Sequence, residues 1–201
     1  MKILLVGTTG TIGTAVKQAL EARHEVLSAS HTQAAFRVDL ANPESIRRLY
    51  ARVGKVDAVV CAAGETAFGP LLALTDADFA LGITSKLMGQ VNLVRLGVEL
   101  VANGGGFTLT SGILSRHPMP SSAAISLVNA GLEGFVRAAA LELPRGIRIN
   151  AVAPGWVRET LAALKMDPGS GIPAAQVAQT YVRSIEGSMT GQVLDAIPGD
   201  D

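Results

Sequence analysis

Residues 3–20 constrain the fold more than any other part of the chain. The apolar run Ile3–Val6 is followed by the glycine-rich segment Gly7–Gly13, after which apolar residues recur at helical spacing up to Leu20. This order predicts a buried strand, a tight turn and the start of a helix. The first N–H groups of a helix lack intrahelical partners and lie at the positive end of its dipole. The segment therefore predicts a cradle for a dinucleotide pyrophosphate, and a glycine turn that binds nothing is the alternative.

Composition excludes several classes of protein. The chain has 201 residues, of which 48% are hydrophobic, and this suits one domain with a sizeable core. Lys plus Arg and Asp plus Glu number 17 each, so no net charge attracts nucleic acid or an anionic membrane. We expect no signal peptide, no membrane-spanning run and no metal site. The single cysteine, Cys61, excludes an intramolecular disulfide and favours a cytoplasmic location.

Strand-like and helix-like runs alternate along the chain. The predicted strands after the first are Glu25–Ala29, Phe36–Val38, Asp57–Cys61, Gly106–Thr110, Ile147–Val152 and Gln192–Ala196. The predicted helices are Thr14–Ala22, Pro43–Val53, Asp76–Ala102, Ser121–Leu143 and Ala174–Ile185. This alternation predicts a single α/β domain over residues 1–201 with a Rossmann-type, doubly wound parallel sheet. We expect an abbreviated loop before Phe36, and a helix C-cap and turn at Asn103–Gly106.

Three further segments follow the glycine-rich one in an order that a known family shares. They are Val38–Leu40, Asp57–Gly64 and Gly146–Val157, and together the four segments resemble the short-chain dehydrogenase/reductase family over nearly the whole chain. The resemblance implies an oxidoreductase with a nicotinamide cofactor. The residues of these segments expected to contact that cofactor are Gly7, Thr8, Thr9, Gly10, Thr11, Ile12, Gly13, Asp39, Leu40, Ala62, Ala63, Gly64, Pro154, Gly155 and Val157.

The catalytic segment departs from the family pattern. Ser111 ends the predicted fifth strand where the family places its catalytic serine, and we expect its hydroxyl to donate a hydrogen bond to a substrate oxyanion. The segment Asn129–Gly134 resembles the family's Lys-Ala-Ala-Leu-Glu-Gly, which puts Asn129 at the position of the catalytic lysine. Ile125 then stands at the position of the catalytic tyrosine. The resemblance therefore implies that both central groups are replaced.

Two other residues are candidates for the missing chemistry. The family's Asn-x-x-Gly pattern falls on Lys86–Gly89, so Lys86 and Asn129 have exchanged places if this alignment holds. The amine would then lie near the nicotinamide ribose and the active-site water, whereas a solvated surface lysine is the alternative. His117 is the second candidate because histidine is the usual side chain for proton transfer near neutral pH, and an exposed loop histidine is the alternative. The candidate catalytic residues are Ser111, Lys86, Asn129 and His117.

The end of the second strand bears on cofactor choice. Proteins that bind NAD usually carry an acidic residue there to hold the ribose hydroxyls. This chain has Ser28, Ser30 and His31 instead, and these side chains leave room for a 2′-phosphate and can hydrogen-bond to it. We therefore expect NADP(H) rather than NAD(H). Arg37 either replaces the arginine that NADP-binding members often carry or is a surface charge.

The remaining predictions concern assembly and substrate. Ala130, Gly134 and Ala138 form a smooth stripe on a helix through which the family commonly associates, so the resemblance implies a homodimer or homotetramer. The family's substrate lid is reduced here to about residues 158–172, which leaves the small-molecule substrate unnamed. Trp156 either borders the substrate cleft or packs against this lid.

Two functions are compatible with these residues. The first is an atypical NADP(H)-dependent oxidoreductase acting on a small carbonyl or alcohol, and the retained Ser111 favours it. The second is a catalytically inactive NADP-binding sensor or scaffold protein, which Ile125 and Asn129 favour.

Overall fold

The computed structural model describes residues 1–197 of the chain. Its strands are β1 (Lys2–Val6), β2 (Glu25–Ser30), β3 (Phe36–Arg37), β4 (Val56–Cys61), β5 (Val101–Thr110), β6 (Arg148–Pro154) and β7 (Val193–Ala196). Its helices are α1 (Thr11–Glu21), α2 (Pro43–Val53), α3 (Asp76–Leu81), α4 (Gly89–Gly97), α5 (Ala123–Glu142), α6 (Arg158–Ala163) and α7 (Ala174–Glu186). A π-helical segment, Gly82–Met88, joins α3 to α4.

The described strands form one parallel sheet in the order β3-β2-β1-β4-β5-β6-β7. The chain runs outward from β1 to β3 and then returns to the other side of β1 with β4, so the strand order reverses between β1 and β4. This confirms the predicted Rossmann-type fold, in which ligands bind at the carboxyl ends of the strands beside that reversal. The abbreviated connection after β2 is also confirmed, because Ala29 pairs in parallel with Phe36.

Two apolar layers cover the sheet. Side chains of β1 alternate between them, with Leu4 and Val6 in one layer and Ile3 and Leu5 in the other. The first layer includes buried residues of α2, α4 and α5, and the second includes buried residues of α1 and α7. Burial on both faces explains why the strands read as continuous apolar runs.

The helix predicted over Asp76–Ala102 was wrong only at its C-terminal end, because β5 begins at Val101. Helix α4 ends at Gly97, where a Cβ atom would lie 2.2 Å from the Tyr50 Oη atom. Asn103–Gly106, predicted to cap that helix, belongs to β5 instead. A Cβ atom at Gly105 would lie 2.3 Å from the carbonyl oxygen of Asp57, so glycine here lets β5 approach its neighbour closely.

Helix α5 also corrects an expectation. It is long and apolar enough to cross a membrane by length and composition, although no such run was expected. Its residues Val128, Leu132 and Val136 are buried against the sheet. A buried core helix passes the same test of length and hydropathy, and 33% of the apolar window of α5 is buried here.

Candidate functional site

The glycine turn is built around direct contacts between backbone atoms. Gly7 has a φ of 96°, and its N–H donates to the carbonyl of Ala29 at 2.8 Å. A Cβ atom at Gly13 would lie 1.9 Å from the Gly7 carbonyl oxygen, so only glycine lets the first turn of α1 rest on the turn that precedes it. These glycines therefore bring the helix N-terminus to the carboxyl end of β1.

The N-terminus of α1 is suited to an anion. Gly10 precedes the helix and provides no side-chain cap, and the first turn contains no acidic residue. Thr11, Ile12 and Gly13 form that first turn, where N–H groups have no partner within the helix. The positive end of the helix dipole is therefore available to a phosphate.

A cavity of about 370 Å³ lies beside this helix N-terminus. The predicted cofactor residues that line it are Gly7, Thr9, Gly10, Ser30, His31, Asp39, Leu40, Ala62, Ala63 and Gly64. They come from the loops that follow β1, β2, β3 and β4, so the structure brings together at one place residues that are distant in sequence. The lining residues outside the predicted cofactor set are Val6, Val38, Ala41, Glu65, Leu81 and Ser85.

Other predicted cofactor residues lie outside the lining of this cavity. Thr8 is buried, and its Oγ1 atom donates to the Ala29 carbonyl. Ser28 pairs with Leu5 inside β2, which runs on to Ser30, and its contact with the cofactor stays a prediction. Pro154 ends β6, and Gly155 and Val157 follow it. Like the cavity, they lie at the carboxyl ends of the strands, but β5 separates β6 from the strands whose ends line the cavity.

No acidic residue stands at the end of β2, where this strand meets the cavity. The Ser30 hydroxyl accepts a hydrogen bond from Gln33 N–H, and the side chain of His31 is exposed. Arg37 of β3 pairs in register with Ser30 and is also exposed. Asp39, which also lines the cavity, accepts a hydrogen bond from Ala41 N–H at 2.9 Å. The wall at the end of β2 therefore offers hydroxyl, imidazole and nearby guanidinium groups.

Lys86 is a buried lysine in the π-helical segment. Its side chain is 8% exposed, and its Nζ atom donates to the carbonyl oxygen of Ser111 at 3.0 Å. Burial lowers the pKa of the amine to about 8, and the nearby Cys61 opposes that change. Within residues 1–197 no carboxylate pairs with the amine. The alternative of a solvated surface lysine is therefore wrong.

The position of Lys86 depends on a second glycine. Gly64 has a φ of 135°, and a Cβ atom there would lie 2.8 Å from both the Cα and Cγ atoms of Lys86. The loop after β4 thus packs directly on the stem of the lysine. π-Helical turns occur often at functional sites, where the inserted residue changes the direction of a side chain.

Asn129 lies beside the same segment of chain. Its side chain is 1% exposed, and its Nδ2 atom donates to the Gly112 carbonyl at 3.4 Å. Its Oδ1 atom is buried and has no hydrogen-bond partner among the described residues. Lys86 and Asn129 therefore bind the successive carbonyls of Ser111 and Gly112, and one amide oxygen is left to accept a proton donor.

The Ser111 hydroxyl is engaged elsewhere. Ser111 is 2% exposed, and its Oγ atom donates to the carboxylate of Glu133 at 3.3 Å. Glu133, a residue that the sequence did not point to, also accepts from Ser115 and pairs with Arg116 and Arg137. The spacing in the sequence could have indicated Glu133, because a residue four positions after Asn129 lies on the same face of the helix. The predicted oxyanion role of Ser111 stays a prediction.

The remaining candidate, His117, and two further residues are placed differently from Lys86. His117 is exposed in the loop before α5, and its catalytic role stays a prediction. Ile125 is half-buried on α5. Tyr181 is fully buried and hydrogen-bonds to Thr110, and burial raises its pKa. The Tyr181 phenol therefore belongs to the interior rather than to the cleft.

Comparison with known proteins agrees with this geometry. The sequence model of the family described as Enoyl-(Acyl carrier protein) reductase matches residues 10–187. The chain belongs to the short-chain dehydrogenase/reductase family. It is 27% identical to the 3-oxoacyl-[acyl-carrier-protein] reductase FabG of Rickettsia felis over 176 residues, which are 79% of this chain and 73% of that protein.

Solved structures also superpose closely on the chain. The crystal structure of the protein lin1944 from Listeria innocua is 43% identical, with a TM-score of 0.93 over 97% of this chain and 98% of that one. A small-chain dehydrogenase in complex with NADPH is 25% identical, with a TM-score of 0.87 over 99% of this chain and 97% of that one. The chain is therefore an oxidoreductase of the short-chain type with a site for a nicotinamide cofactor.

Proposed function

We propose that this short-chain dehydrogenase/reductase uses NADP(H) to interconvert a carbonyl and an alcohol, with Lys86 as the proton donor. The observation that carries the proposal is the buried Lys86 amine, which hydrogen-bonds to Ser111 at the end of β5 without a paired carboxylate among residues 1–197. A tyrosine is absent from the position where the family carries one, so another acid must supply the proton.

The residues present fit a nicotinamide dinucleotide. The glycine turn leaves backbone N–H groups for the pyrophosphate, and the neighbouring cavity extends to His31 and Asp39. When bound, the cofactor supplies or accepts the hydride. The buried Asn129 Oδ1 atom needs a hydrogen-bond donor, and a ligand hydroxyl or a water molecule would provide it.

Lys86 has suitable acid–base properties for the proton step. With a pKa of about 8 it is mostly protonated at pH 7 but close enough to neutrality to release its proton. Burial favours the neutral amine, so donation of the proton to a developing alkoxide relieves the desolvation cost of the charge. The Ser111 carbonyl holds Nζ in place during this step, which makes its backbone oxygen a positioning group.

The preference for NADP rests on the end of β2. A carboxylate there would repel a 2′-phosphate, whereas Ser30, His31 and the adjacent Arg37 provide donors. The NADPH bound in one structural relative is consistent with this preference.

The direct experiment compares binding with turnover. We expect purified protein to bind NADPH more tightly than NADH and to oxidise NADPH with at least one member of a panel of aldehydes and ketones. Lys86→Met should reduce turnover by about 10²- to 10⁴-fold while leaving the dissociation constant for NADPH within a few-fold. Ser111→Ala tests the oxyanion role of the hydroxyl, and a small effect is expected because Glu133 binds that hydroxyl.

A catalytically inactive NADP-binding sensor or scaffold is the second candidate. The engagement of the Ser111 hydroxyl by Glu133, together with Ile125 on α5, favours it. Tight NADPH binding with no oxidation across the carbonyl panel would establish this function in place of the first.

We also propose a homodimer or homotetramer in the cytoplasm. Ala130, Gly134 and Ala138 are exposed along α5, as a close helix–helix contact between copies requires. Sedimentation of Gly134→Arg should show a smaller species than the wild-type protein, because arginine would fill the space that the stripe leaves open. Buried Cys61, the single cysteine, is consistent with a reducing compartment.

A further inference from the structure

An aromatic pair spans the carboxyl end of β5. Phe68, in the loop after β4, and Trp156, just after β6, have ring centroids 6.2 Å apart and an interplanar angle of 78°. Strands β4 and β6 flank β5 on its two sides, about 10 Å apart from each other. Loops from both neighbours therefore meet over the strand that ends at Thr110, immediately before Ser111 and Gly112.

This pair is not part of the apolar core. Phe68 is 49% exposed and Trp156 is half-buried, so both rings keep apolar surface in contact with water. Met119, in the loop between β5 and α5, is also exposed. An edge-to-face contact adds about 1 kcal/mol beyond area burial, which is enough to orient two rings but does not account for leaving them solvated.

The loops that carry these side chains are held in place by hydrogen bonds. Gly69 N–H, next to Phe68, donates to the carbonyl of Ser121 at 2.9 Å. Ser122 in turn bonds to both backbone groups of Met119, accepting from its N–H and donating to its carbonyl. The aromatic pair and Met119 therefore lie on loops that hydrogen bonds hold around the end of β5. At that place the side chains of Lys86 and Asn129 donate to backbone carbonyls.

We propose that Phe68 and Trp156 form the substrate-binding wall of the cleft and select a carbonyl or alcohol that carries an apolar chain or ring. The proposal rests on the proposed function for its reacting group, which would lie beside Lys86. The wall would cover the apolar part of the substrate. Each methylene that leaves water for such a wall should lower the dissociation constant by about three- to fourfold.

Trp156 provides a readout that does not depend on turnover, because it is the only tryptophan in the chain. We would titrate the NADP⁺-bound protein with 2-methyl-2-butanol, 2-methyl-2-hexanol and 2-methyl-2-octanol. These alcohols have no hydrogen on the carbinol carbon and so are not oxidised. The expected result is a saturable blue shift of Trp156 emission, with a dissociation constant that falls along the series.

Phe68→Ala should weaken binding of 2-methyl-2-octanol by about tenfold, since the ring provides much of the apolar contact. Phe36→Ala is the matched control, because it makes the same change on β3, separated from β5 by β2, β1 and β4. Equal dissociation constants along the series, or equal effects of both variants, would overturn the proposal. A shift that depends on protein concentration would also overturn it, because a second copy of the chain would then cover the rings.

The same samples separate this proposal from the proposed function. Assays of NADPH oxidation with 2-butanone and 2-octanone accompany the titrations. Alcohol binding that follows chain length without ketone turnover supports the wall and refutes the catalytic proposal. Ketone turnover with a kcat/KM that does not change with chain length supports the catalytic proposal and refutes the wall.

Discussion

The Lys86 amine donates to the Ser111 carbonyl at 3.0 Å, although Lys86 lies in the π-helical segment after α3 and Ser111 follows β5. Gly64 makes this contact possible, because any side chain there would collide with the stem of the lysine. The result is a buried cation held by a neutral backbone oxygen. Burial of this charge lowers the stability of the folded protein at neutral pH. The effect can be measured by unfolding, without a substrate.

Lys86→Met should stabilise the protein at pH 7 by about 1–3 kcal/mol, because methionine fills the same space without a charge. The pKa of Lys86 is about 8 in the folded protein against an ordinary 10.5, so the unfolded chain binds the proton more strongly between these values. The cost is complete below pH 8 and is relieved as pH rises to 10.5. Urea unfolding at pH 7 and pH 10 should therefore show a difference between variant and wild type that shrinks at the higher pH.

Lys17→Met is the control for this measurement, because the side chain of Lys17 is partly exposed and forms an i,i+4 pair with Glu21. Its effect should stay within about 0.5 kcal/mol at both pH values. A Lys86→Met variant that is less stable than wild type at pH 7 would mean that the amine is paired more favourably than its burial indicates.

The pH dependence of catalysis should follow the protonation state of Lys86. The two directions of the reaction need opposite protonation states of this amine. Carbonyl reduction needs the protonated amine, so kcat/KM for reduction should fall as pH rises through about 8. Alcohol oxidation needs the neutral amine and should rise over the same range. Lys86→Arg keeps the charge but holds its proton too tightly, so it should be slow in both directions at every pH. A reduction profile that stays flat from pH 7 to pH 10 would assign the proton to another group.

The fold was predictable because its signals are local. The apolar run of β1, the glycine turn and the helical spacing of α1 lie within one stretch of sequence, and alternation of the later elements gives a parallel sheet. The helix predicted through Ala102 failed at its end because Val101 begins β5 and pairs with Val56, a residue far away in sequence. Boundaries set by tertiary packing are not contained in a local pattern.

The site was predictable only in part, for the same reason. Burial of Lys86 depends on Gly64 and Ser111, which adjoin it through β4 and β5 rather than along the chain. The network around Glu133 depends on a helix face whose partner is the end of β5. The residue types predicted the candidate groups, whereas the order of the strands in the sheet determines which of these groups lie close together.

Two glycines of the cofactor turn should separate into a structural and a functional position. Gly13→Ala places a methyl group 1.9 Å from the Gly7 carbonyl oxygen and should destabilise the protein by about 3 kcal/mol or more. Gly10→Ala meets nothing closer than 3.6 Å at an ordinary φ of −83°, so its stability should change by less than about 1 kcal/mol. Gly10 lines the cavity, however, and NADPH should bind that variant at least tenfold more weakly. Thermal unfolding and NADPH titration of both variants test this, and equal stability losses would contradict it.

Cofactor preference should be reversible at the end of β2. His31→Asp puts a carboxylate in the cavity wall, where it repels a 2′-phosphate and accepts hydrogen bonds from ribose hydroxyls. We expect the dissociation constant for NADPH to rise about tenfold or more while that for NADH stays level or falls. His24→Asp, outside the cavity, serves as the control for the change of charge. An equal loss of affinity for both cofactors would place His31 near a part that they share.

Glu133 should contribute more to stability than the surface carboxylates. Its side chain is 3% exposed and pairs with Arg116 and Arg137, and it also accepts from the Ser111 hydroxyl. Glu133→Gln should destabilise the fold by about 1–3 kcal/mol, less than the roughly 3–5 kcal/mol typical of a broken, fully buried pair, because both arginines are partly exposed. Glu99→Gln is the matched control, since Glu99 is 80% exposed beside Arg145 and should change stability by about 0.5 kcal/mol or less. Urea unfolding of the two variants measures the difference, and equal effects would show that the Glu133 network is not a stabilising feature of the cleft.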